Sequence, residues 1–273
     1  LIECSVDNNH VVGDQGMADG GGIYAVGGLL HLSYTRVWNN TAEAVGGGIR
    51  VVAPETASQE VPVTFDHVYI GHNRARSDVG GAALGGVDLR MSFVNVSHNT
   101  ARNSTGGMTV DGTVAIEHLT VQANAAWDGE SGGVRFNGPG DVSLTYFDIF
   151  GNIAKTGGGL FIDAGEASVR VKDGAIRQNG AEFAGAAAIY SGRVTFERVS
   201  VRNNAAAKGI GGIAVNAKND DRHAPADPEV KLAMCGLRGN INGDLFYGWP
   251  HFKVGGVADV DNFGASASAT NFY

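Results

Sequence analysis

Nine asparagines recur along this chain at Asn9, Asn40, Asn73, Asn99, Asn124, Asn152, Asn179, Asn204 and Asn240. Their separations are 31, 33, 26, 25, 28, 27, 25 and 36 residues, so one structural unit repeats. Counting back from each asparagine exposes four apolar columns. Three residues before stand Val6, Val37, Ile70, Val96, Val121, Ile149, Ile176, Val201 and Leu237. Five before stand Cys4, Thr35, Val68, Val94, Leu119, Phe147, Gly174, Val199 and Cys235, where Thr35 and Gly174 are the exceptions. Eight and ten before, every residue is apolar, as in Phe65 and Val63 or Phe196 and Val194.

These columns have a period of two, then a step of three, then a period of two again. Alternation with period two marks strands with one buried face, and the step of three marks a bend between two of them. After each asparagine comes a small residue, then a glycine cluster, then a third apolar strand. Examples are Gly46-Gly47-Gly48-Ile49, Gly132-Gly133-Val134 and Gly157-Gly158-Gly159-Leu160. Three short strands cannot bury a face alone, whereas stacked copies can. The pattern predicts an all-β fold: a right-handed parallel β-helix solenoid of about nine turns, with three short strands each. Period two excludes helical solenoids, and the leucine spacing of leucine-rich repeats is absent.

Asparagine tolerates the left-handed backbone of a sharp turn. Stacked, its amides satisfy one another inside the core. Glycine serves corners where a Cβ collides. Glycine is accordingly abundant, 42 residues in 273, while prolines number only 6, which argues against collagen or a flexible linker. The asparagine and glycine motifs therefore build the fold and need contact no ligand.

Cys4 and Cys235 fall in one interior column, eight turns apart. At about 4.8 Å per strand they are roughly 38 Å apart, beyond the ~7 Å Cα reach of a disulfide. Both are expected to be free and buried. The solenoid is expected over residues 1–256, with a tail or cap over 257–273 that the aromatic segment Phe246–Phe252 begins. The chain opens on Leu1, already a core column, with no visible cap. It therefore reads as a piece of something longer, or as a unit that self-associates through uncapped ends.

The net charge of −8 disfavours nucleic acid and anionic membranes as partners. No apolar run is long enough to span a membrane. No nucleophile elbow, phosphate loop or zinc spacing occurs. Two insertions leave the repeat, at Val52–Glu60 and Asn216–Glu229. The second carries Asp220, Asp221, Asp227 and Glu229, weak candidate ligands for Ca²⁺, the one cofactor the sequence suggests.

The outward residues of the third strand form the best candidate surface. Tyr24, Arg50, Thr109, Arg135, Phe161, Tyr190 and Ala214 follow its first core position, and Asp111, Asn137, Asp163 and Asn216 lie two residues later. Tyr24, Arg50, Arg135, Asn137, Phe161 and Tyr190 are the candidate ligand-binding set. Asp111, Arg135 and Asp163 are the candidate catalytic set, because carboxylates can act as acid and base and an arginine can hold a uronate. The β-helix polysaccharide lyases use a wall of this kind. A second outward pair, Asp66-His67 and Glu117-His118, reads as solvated, with Ser92-Phe93 between.

The alternation of an aliphatic-x-x-Asn element (Val37-Trp38-Asn39-Asn40, Ile149-Phe150-Gly151-Asn152) with a Gly-Gly-x-aliphatic element (Gly46-Gly47-Gly48-Ile49, Gly80-Gly81-Ala82-Ala83, Gly185-Ala186-Ala187-Ala188-Ile189) resembles right-handed β-helix repeat proteins. Among them it resembles the passenger regions of chlamydial-type polymorphic outer-membrane proteins, of autotransporter type. That likeness implies a secreted or cell-surface location and a glycan or a host or neighbouring cell surface as partner. The leading expectation is an extracellular structural or adhesive solenoid, non-enzymatic, from a surface protein or a filament. The alternative is a polysaccharide lyase or hydrolase acting on the third-strand face.

Overall fold

The structure, a computed structural model, describes residues 1–13, 18–56, 58–215, 228–243, 245–247, 253–254 and 259–260. Among these residues there is no helix; every paired strand is parallel to its neighbours, and the chain winds into a β-solenoid. About seven turns carry a full set of strands, from Ile23–Val26 to Ala205–Ala206. The expected nine fell short because the first and last asparagines sit on incomplete rungs.

The register is that of the apolar columns. Val96 pairs with Ile70 and Val121, and Phe65 pairs with Leu32 and Met91. Their side chains fill one continuous core in which Phe65, Phe136, Phe196, Leu32, Ile49 and Leu89 are fully buried. Each such side chain contributes roughly 1.5–3 kcal/mol on leaving water. The predicted strands often merge. Ala82–Ser97, Met108–Gln122, Leu160–Arg177 and Ala187–Arg202 run unbroken through two corners. Two-residue strands after the asparagines, such as Arg74–Ala75, Thr100–Ala101 and Ala125–Ala126, add an unexpected second sheet of eight.

The asparagine column is a continuous hydrogen-bond ladder. Asn73 Nδ2 donates to Asn99 Oδ1 (3.0 Å) and to Val37 O (3.0 Å), while its Oδ1 accepts from Asn40 N and Nδ2 (3.0 and 3.1 Å). The same links run from Asn9 to Asn240. The ladder asparagines do not themselves take the left-handed backbone. The residue before each does: Asn8, Asn39, His72, His98, Ala123, Gly151, Gln178, Asn203 and Gly239 all have positive φ. The turn is made one residue earlier, which frees the asparagine amide to point inward. The glycine clusters face this ladder. A Cβ on Gly48 would lie 2.8 Å from Asn73 Nδ2 and from Gly81 O, so a larger residue would displace the amide column.

The column exceptions have local causes. Gly174 lies against the Phe147 ring, its register partner, where a Cβ would overlap the ring. Thr35 donates from Oγ1 to Ser33 O at 2.8 Å, which satisfies its hydroxyl. Both cysteines are free, as expected, but only Cys235 is buried. Cys4, near the end of the stack, is half-buried. Leu245–Tyr247, at the start of the segment expected to begin a cap, pairs with Ile213–Val215, and residues 248–252 lie outside the described residues. Pairing reaches Asp259–Val260, beyond residue 256, and the tail from Ala265 lies outside the described residues.

Candidate functional site

The third strands stack in register and set the outward residues in two rows. One row reads Tyr24, Arg50, Ala83, Thr109, Arg135, Phe161, Ala188 and Ala214. The other reads Gly85, Asp111, Asn137, Asp163 and Ser191. Asp111 and Asp163 are thus two rungs apart, about 9.6 Å along the axis, with Asn137 between. Tyr190 does not join the first row. Gly185-Ala186 takes the place of the glycine pair, so Ala187 is the first core position and Tyr190 sits at an irregularity before Ser191. A run of small residues had hidden that offset of two.

Most of the charged groups on this wall are engaged by near neighbours. Arg135 pairs with Glu130 and lies over the Phe161 ring, 5.0 Å from its centroid. Arg50 faces Asp19 at 3.7 Å. Asp163 accepts from Ser191 Oγ at 2.7 Å, and that hydroxyl accepts from Gly165 N–H at 2.7 Å. Phe161, expected to face solvent, is 1% exposed, packed in a small second core with Ala184, Ala188 and Ala214 and stacked on Tyr190 at 5.0 Å. It offers no open ring face to a ligand. Tyr24 remains exposed.

Asp111 stands apart. It lies against Gly138, and burial, with Glu60 adding repulsion, pushes its carboxyl above the usual carboxylate range. Glu60 ends the first insertion and accepts from Thr113 N–H at 2.9 Å. The Ca²⁺ candidates Asp220, Asp221 and Asp227, and Asn216, lie outside the described residues. Glu229 opens a strand and pairs with Arg193. Among the described residues no group of three or more His, Cys, Asp or Glu is placed to hold a metal.

A second feature was not foreseen. The bend residue six before each asparagine has positive φ throughout, from Glu3 to Met234. At this bend Tyr34, His67, Phe93, His118 and Tyr146 stack on five successive turns, with centroid separations of 4.6, 4.7, 4.4 and 5.0 Å. A groove of about 530 Å³ runs beside Phe93, His118 and Tyr146, bordered by Asn95, Asp148 and Asp173. Asp66 accepts from Ser92 Oγ (2.6 Å) and contacts His67 Nδ1 (3.0 Å), and these contacts hold its carboxyl below the ordinary range. The sequence signal was present in Asp66-His67 and Glu117-His118, with Phe93 as the missing middle ring. The neighbouring bend stacks His72 on His98 at 4.7 Å.

Outside these rows, ion pairs join neighbouring turns. Arg177 grips Asp148 with two bonds of 3.0 and 2.6 Å, and Arg198 grips Asp173 with two of 2.6 and 2.8 Å. Lys208 meets Glu182 at 2.7 Å. The surface repeats what the core does: side chains pair along the axis with their counterparts one turn away.

Comparisons with protein-family models, curated proteins and solved structures find no match. No helix among the described residues is long and apolar enough to cross a membrane.

Proposed function

We propose that this chain is an extracellular structural or adhesive solenoid, non-enzymatic, of the kind found in autotransporter-type passenger repeats. The observation that carries the reading is the engagement of the candidate catalytic wall by its own neighbours. Arg135 is paired with Glu130 and covered by Phe161, and Asp163 is held by Ser191. Groups arranged this way stiffen a rod; they do not converge on a substrate. The axial ladders of asparagine, aromatic and ion-pair contacts support the same reading.

One observation favours a second reading, a polysaccharide hydrolase or lyase. Asp111 is partly buried beside Glu60, with its carboxyl pushed up, as in a general acid. An activity screen separates the two. The chain is incubated with acidic and neutral polysaccharides, with and without Ca²⁺, and both unsaturated products and new reducing ends are measured. The structural reading expects no product. Product that disappears in Asp111→Ala or Asp163→Ala establishes the enzyme instead.

A further inference from the structure

The outer face of the short strands carries a different constellation. Arg74, Arg76, Arg102 and Trp127 line a groove of about 590 Å³ whose floor is Ala75 and Ala101. The ladder sets their spacing. Arg76, Arg102 and Trp127 each stand three residues after a ladder asparagine, on consecutive turns. They form an axial row about 9.6 Å long at about 4.8 Å per turn. Arg74 stands on the same rung as Arg76, in register with Thr100.

The charge here runs against that of the chain, which is −8. Among the described residues Arg74 has no carboxylate partner. Arg76 shares Glu43 with His10, at 3.0 and 3.4 Å. Arg102 meets Asp128 only at 3.5 Å, with both side chains largely in water, so this pair holds the guanidinium weakly. The contrast with Arg177 and Arg198, each clamped by two short bonds, is direct.

Trp127 differs in the same way from the aromatics of the bend. The rings of the bend stack cover one another's faces. Trp127 is 67% exposed and, among the described residues, has no ring partner and no cation over it. An open indole beside one unpaired and two partly paired guanidinium groups puts apolar and anion-binding recognition into one groove.

We propose that this groove binds an acidic polysaccharide. The planar forks of Arg74, Arg76 and Arg102 take carboxylate or sulfate groups in paired hydrogen bonds. The indole of Trp127 packs on the apolar face of a sugar ring. A polysaccharide running along the axis meets arginines on two successive turns and then the tryptophan. Three arginines within two turns match a few spaced acidic groups better than the unbroken phosphate run of a nucleic acid, which the net charge of −8 also opposes. The inference concerns a face remote in register from Asp111 and Asp163, and holds whether or not that wall is catalytic.

The test is calorimetric titration of the chain with oligogalacturonate, heparin fragments, dextran and a single-stranded oligothymidylate. Binding of oligogalacturonate or heparin is expected, weakening as salt rises. Oligogalacturonate carries carboxylates alone and heparin carries sulfates as well, so binding of oligogalacturonate shows that carboxylates suffice. Arg74→Ala with Arg102→Ala, and Trp127→Ala separately, are each expected to weaken binding at least about tenfold. All three side chains are exposed, so the variants are expected to melt like the parent. Dextran binding as tight as the acidic glycans, oligothymidylate binding as tight or tighter, affinity unchanged in the variants, or no binding to either acidic glycan each overturns the proposal.

Discussion

Removing one amide from the middle of the ladder isolates what the asparagine column does for stability. Asn124 is 1% exposed, and its side chain makes four hydrogen bonds. Nδ2 donates to Val96 O (3.0 Å) and Asn152 Oδ1 (2.9 Å), and Oδ1 accepts from Asn99 N and Nδ2 (2.9 and 3.0 Å). Asn124→Ala deletes all four. It strands two donors on fully buried Asn99, its backbone N–H and one amide hydrogen. At about 1–3 kcal/mol for each stranded group, the donors alone cost about 4 kcal/mol, roughly a thousandfold in the folding equilibrium. Asn9 is the control. It is exposed at the end of the stack, and its amide donates only to Asn40 Oδ1 at 2.9 Å, so Asn9→Ala is expected to cost about 0.5–1.5 kcal/mol. Asn124→Asp keeps the shape and turns two donors into lone pairs facing Val96 O and Asn152 Oδ1. It is expected to cost at least as much as alanine at pH 7. Urea unfolding followed by circular dichroism and tryptophan fluorescence together measures all three. Equal costs for Asn124→Ala and Asn9→Ala, within about 0.5 kcal/mol, would refute the reasoning.

Further consequences follow from particular contacts. Gly174→Ala is expected to destabilise by about 1–3 kcal/mol because its methyl overlaps the Phe147 ring, and Phe147→Leu in the same chain is expected to recover most of the loss. A double variant no more stable than Gly174→Ala alone would show that the ring is not the obstacle. Burial, then His98 and Arg36, holds the His72 pKa below its ordinary value. The unfolded chain therefore takes up a proton near pH 6.5 before the folded chain does, so the His72 contribution is fully present above that pH and is lost as pH falls from there through the lower pKa of the folded state. In urea midpoints measured from pH 8 to pH 5, His72→Asn, which suits the positive φ there, is expected to show a shallower decline than the parent; parallel profiles would contradict this. Cys4 is half-buried whereas Cys235 is buried with its thiol pKa pushed up, so alkylation under native conditions is expected to label Cys4 first. Labelling at equal rates would place Cys235 outside the core.

The core was legible because period two and a fixed count from each asparagine leave few alternatives. Val37, Ile70 and Val96 fell in one column by counting alone, and the structure pairs them. The turn chemistry was only half legible. Asn was read as the left-handed residue, yet the strain sits on His72 or Ala123 just before it, because the amide must face inward to join the ladder. The surface was least legible. Phe161 looked outward by alternation but is buried by packing among Ala184, Ala188 and Ala214, which no local pattern encodes. Tyr34, His67, Phe93, His118 and Tyr146 share no residue type, so their stack appears only when the bend position is read as a column. Arg74 lies on a short strand, and Arg76, Arg102 and Trp127 directly follow such strands, which two residues, often alanines, do not announce.

The most direct test of the ladder is side-chain amide hydrogen exchange measured by NMR. Asn73, Asn99, Asn124, Asn152 and Asn179 are at most 1% exposed, and each donates both amide hydrogens within the core. Asn39 donates only to Asn8 at the surface. The account predicts that the five interior amides exchange orders of magnitude more slowly than that of Asn39. Exchange of the interior amides as fast as that of Asn39 would mean that no such ladder holds these turns together.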